Sequence, residues 1–162
     1  MFPDSPSQHS SWTIEDSSNL YGLEQWGEDY FSINESGNII VNPGGCIEKS
    51  LDLMLLVREL EGRNLKLPLV IRFDDILEHR LTLLHQAFDL AIKSYQYNGS
   101  YQGVFPVKCN QQRHVVEEVL RCGKSWNFGL EAGSKTELLI ALSLVNDPKA
   151  FLICNGYKDE RY

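Results

Sequence analysis

Several familiar sequence signals are missing from this chain of 162 residues, and each absence excludes a class of protein. Its four cysteines form no C-x-x-C pair and lie near no histidine cluster, which argues against a zinc site and against a disulfide framework. Lys and Arg form no block and the formal charge is -7, so a nucleic-acid or anionic-membrane partner is not expected.

Targeting signals are also missing. No apolar run approaches the ~18 residues of a membrane span. Residues Met1–Ser11 have no basic region followed by an apolar core, so no secretory signal is expected. The 43% hydrophobic and 23% charged content is that of an ordinary globular protein. We therefore expect a cytoplasmic protein with reduced thiols and no membrane partner.

The first third of the chain predicts an arm, a hairpin and a helix. Residues 1–18 are rich in Ser, Asp and Pro and are expected to form a flexible arm. Tyr30–Ile33 and Asn38–Val41 flank an Asn-Glu-Ser-Gly turn, which predicts a β-hairpin. Leucines at three- and four-residue intervals predict a helix over about 47–61. No further strand is predicted before residue 67, so the hairpin needs a sheet supplied from elsewhere.

From residue 67 onward, strands and helices alternate. The predicted strands are 67–73, 103–107, 126–132 and 151–155, and the predicted helices are 75–96, 110–121 and 134–145. Alternation on this scale means parallel pairing and an α/β fold. No Gly-x-Gly-x-x-Gly follows any of the strands, so a dinucleotide-binding sheet has no support.

The number of predicted strands indicates that this region is only part of a barrel. A closed eight-stranded parallel barrel needs about 250 residues, whereas the alternating region 67–162 has 96. Four strands would also leave two unpaired edges. We therefore expect an incomplete parallel (β/α) barrel, about four of eight strands, cut from a longer protein.

Polar residues mark the predicted helix starts. Asp75 with Glu78, and Ser134 with Glu137, have the spacing of capping boxes, and Asn110 is placed as an N-cap. We expect Asn110 and Ser134 to be caps rather than ligands. Pro106 cannot donate within a central ladder, so a bulge is expected near the end of its strand.

Lys108 is the first candidate functional residue, because it directly follows the buried strand that contains Phe105. An ammonium at the end of a buried strand is costly unless it is paired or used. A neutral lysine amine can condense with an aldehyde cofactor to form a Schiff base. The alternative is that Lys108 simply extends into solvent from a strand end. The neighbouring Cys109 is expected to be a buried filler.

Five blocks carry a resemblance to a known family. They are Tyr30–Asn34, Tyr97–Tyr101, Phe105–Gln111, Gly129–Lys135 and Cys154–Asp159. In this order they resemble the amino-terminal quarter of the biosynthetic arginine decarboxylases, within the pyridoxal-phosphate-dependent group of fold type III (alanine-racemase-like). The Lys-Cys-Asn piece is shared with ornithine and other basic-amino-acid decarboxylases, while Glu-Ala-Gly-Ser-Lys and Asn-Gly-Tyr-Lys-Asp narrow the resemblance to the arginine enzymes.

The resemblance implies a site. Lys108 aligns with the lysine that forms the internal aldimine with pyridoxal 5'-phosphate. Glu131 aligns with an acidic position near the cofactor, where it could pair with Lys108 or with the cofactor; the alternative is an acid at a strand end facing solvent. The phosphate loop, the acid that holds the pyridine nitrogen and a cross-interface cysteine would lie beyond residue 162, so this segment alone is expected to be inactive.

The resemblance also implies the reaction, the oligomeric state and the domain organisation of the complete enzyme. The complete enzyme would convert L-arginine to agmatine and CO2 in polyamine synthesis, as a homodimer or higher homo-oligomer, with a requirement for Mg2+. Residues 19–66 would contribute to a β-rich domain, and 67–162 would form the first half of the barrel. A related ornithine or diaminopimelate decarboxylase, or a non-catalytic truncated module, remain the alternatives. None of the histidines at 9, 79, 85 and 114 is expected to be catalytic.

Overall fold

The computed structural model describes residues 11–45, 50–160 and 162. These fall into two compact units, divided between Arg72 and Phe73. Each unit contains one three-stranded sheet, antiparallel in the first and parallel in the second. No helix in the described part of the chain is both long enough and apolar enough to cross a membrane.

The first unit places three helices around a small antiparallel sheet. Its helices are α1 (Ile14–Tyr21), α2 (Leu23–Gly27) and α3 (Leu53–Gly62), and its strands are β1 (Phe31–Ile33), β2 (Ile39–Val41) and β3 (Leu51–Asp52). The strand order is β1-β2-β3, and Ser32 pairs with Ile40 across the predicted hairpin. The hairpin prediction is therefore confirmed.

Two expectations for the first unit are corrected. The predicted flexible arm does not extend to residue 18, because Thr13 and Asp16 form a reciprocal capping box that starts α1; residues 1–10 lie outside the described residues. The hairpin does have a third strand within this segment, because Leu51 pairs with Val41. The predicted helix therefore starts later, after Asp52, whose carboxylate caps α3.

The second unit alternates strands and helices. Its strands are β4 (Val104–Pro106), β5 (Gly129–Ala132) and β6 (Leu152–Cys154), and its helices are α4 (Asp74–Ser94), α5 (Arg113–Cys122) and α6 (Lys135–Leu144). All pairing in this sheet is parallel, in the order β4-β5-β6. Pro106 is the last residue of β4, an edge strand of the described sheet, where its missing N–H is tolerated without the predicted bulge.

Three local predictions for this half of the chain are wrong. Residues 67–73 form no strand, and Val70 is 83% exposed, because an apolar run becomes a strand only where a neighbour pairs with it. Asp75 lies in the first turn of α4 rather than at its cap, which is Phe73. Asn110 precedes the N-cap of α5, Gln112, and instead accepts a hydrogen bond from the Gln112 amide.

The core of the second unit lies between the parallel sheet and its helices. One cluster joins α4 to α5 through Leu81 and Val119, and a second joins β5 to α5 and α6 through Leu130, Val116 and Ala141. Burial of these apolar side chains holds β5 in the middle of the sheet, with every one of its residues buried. The carboxyl ends of β4 and β5 are thereby fixed side by side.

Candidate active site at the carboxyl ends of the parallel strands

Lys108 lies where β4 ends. The chain leaves the strand through a single 3-10 turn, Val107–Cys109, whose first residue is fully buried in the core beside Leu130. This turn is closed by the Asn110 amide, which donates to the Val107 carbonyl at 3.2 Å. A buried anchor directly before Lys108 fixes its backbone, while the side chain itself is 58% exposed.

Glu131 lies on the neighbouring strand, opposite Pro106 in the parallel register. Successive side chains of a strand point to opposite faces, so Glu131 lies on the face opposite to Leu130, away from the core that Leu130 enters. Its side chain is only 8% exposed. The alternative of a strand-end acid facing solvent is therefore wrong for this residue.

The two candidate residues meet. Lys108 Nζ lies 3.9 Å from Glu131 Oε1, which is the outer limit of an ion pair. Both carboxylate oxygens of Glu131 are buried and accept no hydrogen bond within the described part of the chain. A buried carboxylate is costly without donors. A buried carboxylate without donors, next to an exposed lysine, is typical of a site that holds a further polar group.

A second buried glutamate at this edge behaves differently. Glu137 accepts hydrogen bonds from the Gly133 amide at 2.8 Å and from the Ser134 hydroxyl at 3.1 Å. Ser134 in turn accepts from the Glu137 amide, so the N-cap predicted at Ser134 is confirmed, whereas the reciprocal bond of a capping box is replaced by the one from the Gly133 amide. Glu137 therefore has a structural role, and Glu131 is the buried carboxylate that lacks such donors.

Tyr162 also belongs to this edge, and sequence reasoning did not single it out. Its hydroxyl is buried and has no hydrogen-bond partner among the described residues. Burial and the neighbouring thiol of Cys154 raise the pKa of Tyr162, and the charges of Glu137 and Glu131 raise it further. No sequence signal identifies this tyrosine, because only the path of the chain after β6 brings its hydroxyl near the Cys154 thiol.

The remaining candidates lie elsewhere or are inert. His79 and His85 are in α4 and His114 is in α5, whereas His9 and Cys46 are outside the described residues. Cys109 is exposed, not buried as expected, because the 3-10 turn directs it away from the core. Burial raises the pKa of the Cys122 thiol to about 12, with a further contribution from Glu118. Across the described ranges, no group of three or more His, Cys, Asp or Glu could hold a metal ion.

Comparison with known families gives a direct match. Residues 81–162 match the family described as pyridoxal-dependent decarboxylase, pyridoxal binding domain. This range covers half of the chain and contains α5, α6 and all three parallel strands, together with Lys108 and Glu131.

Similar proteins carry one description. The chain is 68% identical over 153 residues to a biosynthetic arginine decarboxylase of Prochlorococcus marinus, covering 94% of this chain and 24% of that protein. It is 70% identical over 151 residues to a protein of the same description from Parasynechococcus marenigrum, covering 93% and 23%. The chain thus spans about a quarter of the length of these curated relatives.

A solved structure shares the arrangement of the elements. The crystal structure of the biosynthetic arginine decarboxylase of Campylobacter jejuni superposes with a TM-score of 0.78 at 35% identity, covering 87% of this chain and 23% of that one. This likeness confirms the predicted fold class, a mixed α/β chain that forms part of a parallel barrel. The described residues contribute three parallel strands to it, one fewer than predicted.

Proposed function

The chain belongs to the pyridoxal-dependent decarboxylases, and on that premise we propose that it is the amino-terminal part of a biosynthetic arginine decarboxylase. The complete protein would convert L-arginine to agmatine and CO2 in polyamine synthesis. The observation that carries the proposal is the placement of Lys108, fixed at the end of a parallel strand and 3.9 Å from a buried carboxylate. Relatives of the same description at 66–70% identity support the choice of substrate.

The residues present suit pyridoxal 5'-phosphate. When bound, this cofactor supplies an aldehyde that bonds to an amine and a ring that accepts an electron pair as CO2 leaves. Lys108 would hold it through Nζ, since a side chain that is 58% exposed can reach a bound group while its backbone stays anchored. The unpartnered oxygens of Glu131 supply the polar contact that such a group or Lys108 itself would satisfy.

Glu131 has a defined role in this proposal. While Lys108 is not joined to the cofactor, the Glu131 carboxylate 3.9 Å away keeps Nζ at the mouth of the site. The Lys108 amine would give up a proton when it bonds to the cofactor aldehyde, and it would hold a proton again once the cofactor is released. Because Glu131 lies on β5 and Lys108 follows β4, the parallel register sets the separation of the two groups.

Further parts of the proposal rest on the family resemblance. Residues 67–162 would form the first half of the cofactor-binding barrel, and 19–66 would join a β-rich domain. The complete protein would be a cytoplasmic homodimer or higher homo-oligomer with sites that both subunits share. The family resemblance also implies a requirement for Mg2+.

The full-length polypeptide tests the substrate assignment. Incubated with pyridoxal phosphate and either L-arginine, L-ornithine or diaminopimelate, it is expected to release CO2 from arginine and to form agmatine. The K108A variant is expected to lose this activity, and K124A, at a lysine just beyond the C-terminal end of α5, is the matched control. Turnover of ornithine or diaminopimelate instead would contradict the substrate, and full activity in K108A would contradict the site.

A further inference from the structure

The net negative charge of the chain lies in its first 47 residues. Residues 1–47 contain seven Asp and Glu and no Lys or Arg, whereas residues 48–162 contain 15 residues of each sign. Six of the seven acids belong to the described part of the chain, and they are Glu15, Asp16, Glu24, Glu28, Asp29 and Glu35. A surface with one sign of charge attracts ligands of the opposite sign. A cationic ligand would therefore be drawn to this segment.

A cavity of about 520 Å3 lies within this segment. Residues of α1, α2, both strands of the hairpin and the chain before β1 line it, and the apolar residues among them are Ile14, Leu23, Phe31, Ile33 and Ile40. Three other contributions come from one face of the hairpin, because Ser32 pairs with Ile40 and Asn42 follows Ile40 by two residues. The volume is in the range of sites that bind small molecules.

Carboxylates are the charged groups of this cavity. Glu24, Glu28 and Asp29 are among its lining residues. Neither Glu24 nor Asp29 has an ion-pair partner among the residues that the structure describes, and both are exposed. A carboxylate can only accept hydrogen bonds. These two acids can therefore take up a ligand that carries N–H donors and a positive charge.

A buried amide oxygen gives an independent indication of a ligand. Asn42 also lines the cavity, and it is only 6% exposed. Its backbone amide donates to the Tyr30 carbonyl at 2.7 Å, and its Nδ2 donates to Ser32 Oγ at 3.4 Å. Its Oδ1 is buried and has no hydrogen-bond partner within the described ranges. A buried acceptor without a donor is costly, and a donor bound in the cavity would remove that cost.

We propose that this cavity binds a small organic cation, an alkyl chain that ends in an ammonium or guanidinium group. Such an end offers only N–H donors, which suit the carboxylates of Glu24 and Asp29 and the Oδ1 of Asn42. The alkyl chain would contact the apolar lining residues, from which a hydrated metal ion would gain nothing. All lining residues belong to the first unit, so the site does not depend on the role of Lys108.

Calorimetric titration of the full-length polypeptide with butylguanidinium chloride tests the site. The parent is expected to show a binding event whose affinity falls about tenfold in the double variant E24Q/D29N, because hydrogen bonds to charged groups are lost. E15Q/E35Q, at two exposed acids outside the cavity, removes the same charge and should retain the parent affinity. 1-Butanol has the same chain without the charge and should not bind. Equal affinities of the parent and E24Q/D29N, or equal binding of 1-butanol, would overturn the inference.

The N42L variant separates binding from folding. Leucine has a similar shape and removes the unpartnered oxygen, so the thermal unfolding midpoint is expected to be unchanged or raised while the affinity for butylguanidinium falls about fivefold. Unchanged affinity in N42L would contradict the site.

A peptide distinguishes a free cation from the side chain of a partner protein. The acetylated and amidated tripeptide Gly-Arg-Gly carries the same guanidinium on a peptide backbone, and it is expected to bind more weakly than butylguanidinium. Tighter binding of the peptide would assign the cavity to a protein segment and overturn the proposal of a small ligand.

Discussion

Lys108 Nζ and Glu131 Oε1 lie 3.9 Å apart, yet the lysine side chain is 58% exposed and the glutamate side chain only 8%. An ion pair with one partner in solvent contributes little to stability. The buried carboxylate, in contrast, has lost its hydration without gaining donors. The Lys108–Glu131 pair is therefore better explained by a functional role at the site than by a contribution to the stability of the fold.

This interpretation predicts opposite effects of one substitution at two buried acids. E131Q removes an unsatisfied charge and is expected to leave the free energy of unfolding unchanged or to raise it by up to about 1 kcal/mol. E137Q removes the charge and one of the two oxygens that accept from Gly133 and Ser134, and is expected to cost about 1–2 kcal/mol. Urea unfolding followed by circular dichroism measures both. Equal destabilisation by the two variants would make Glu131 a structural residue.

His85 predicts a loss of stability in mild acid. Its ring is buried between Trp126, Tyr101 and Phe128, and Nε2 has no hydrogen-bond partner in the described residues. Burial lowers the pKa of His85, and the nearby Asp89 opposes this only in part. Its stabilising contribution is complete above the ordinary histidine pKa near 6.5 and is lost as the pH falls from there to the lowered folded value, because in that range the unfolded state binds the proton more readily than the folded state.

The H85F variant tests this expectation. Phenylalanine preserves the aromatic packing and removes the titrating ring, so the unfolding midpoint of H85F should vary less than that of the parent between about pH 7 and pH 5. His114 is exposed on α5, and H114Q is the matched control that should retain the parent profile. An H85F profile as steep as that of the parent would show that another group causes the acid sensitivity.

Asp52 joins the hairpin to α3. One oxygen accepts from the amides of Met54 and Leu55, and the other accepts from the side chains of Asn34 and Asn38. The hydrogen bond from Asn38 is the main cause that lowers the pKa of Asp52, and the Leu55 amide and Asn34 add to it. This contribution is present above the ordinary aspartate pKa and is lost as the pH falls through the lowered folded value.

Hydrogen exchange in the segment 31–62 measures the effect of Asp52. D52A is expected to speed amide exchange across β2, β3 and the first turn of α3, because both the cap and the link to the hairpin are lost. D52N keeps a capping side chain and should have a smaller effect at neutral pH, without the acid sensitivity. Unchanged protection in D52A would contradict this role.

Gly129 is required by the close approach of β5 and β6. A Cβ at this position would lie 1.9 Å from the Phe151 carbonyl oxygen, which is backbone and cannot move aside. G129A is therefore expected to separate the strands and to lower the thermal unfolding midpoint strongly. Gly62 has nothing within 4 Å of the same position and lies at the end of a helix, so G62A is the tolerated control. Equal midpoints for the two variants would contradict the pairing of β5 with β6.

Local patterns predicted most of the fold because they follow directly from side-chain chemistry. The turn between β1 and β2, the cap at Ser134 and the lysine after β4 each depend on residues adjacent in sequence. The apolar run at 67–73 failed because pairing, not hydrophobicity, defines a strand. Asn110 was misplaced by two residues because its side chain can cap a turn as well as a helix.

The site was predictable only in part, because some of its features depend on contacts between residues that are far apart in the sequence. Lys108 is identifiable from its strand end and its resemblance to a known motif, whereas the burial of Glu131 depends on the whole sheet. Tyr162 is separated by 31 residues from Glu131 and 54 from Lys108, and nothing in its neighbourhood along the chain distinguishes it from the exposed Tyr157. The contacts of the segment after β6 depend on the tertiary structure, and the pattern of residues along the sequence does not predict them.

Attachment of the cofactor tests the central claim most directly. The full-length polypeptide is incubated with pyridoxal phosphate, reduced with borohydride, digested and mapped by mass spectrometry. The reduced label is expected on Lys108, with K108R abolishing it and K124R leaving it in place. Label on a different lysine, or spread evenly over several, would contradict the assignment of Lys108 as the residue that holds the cofactor.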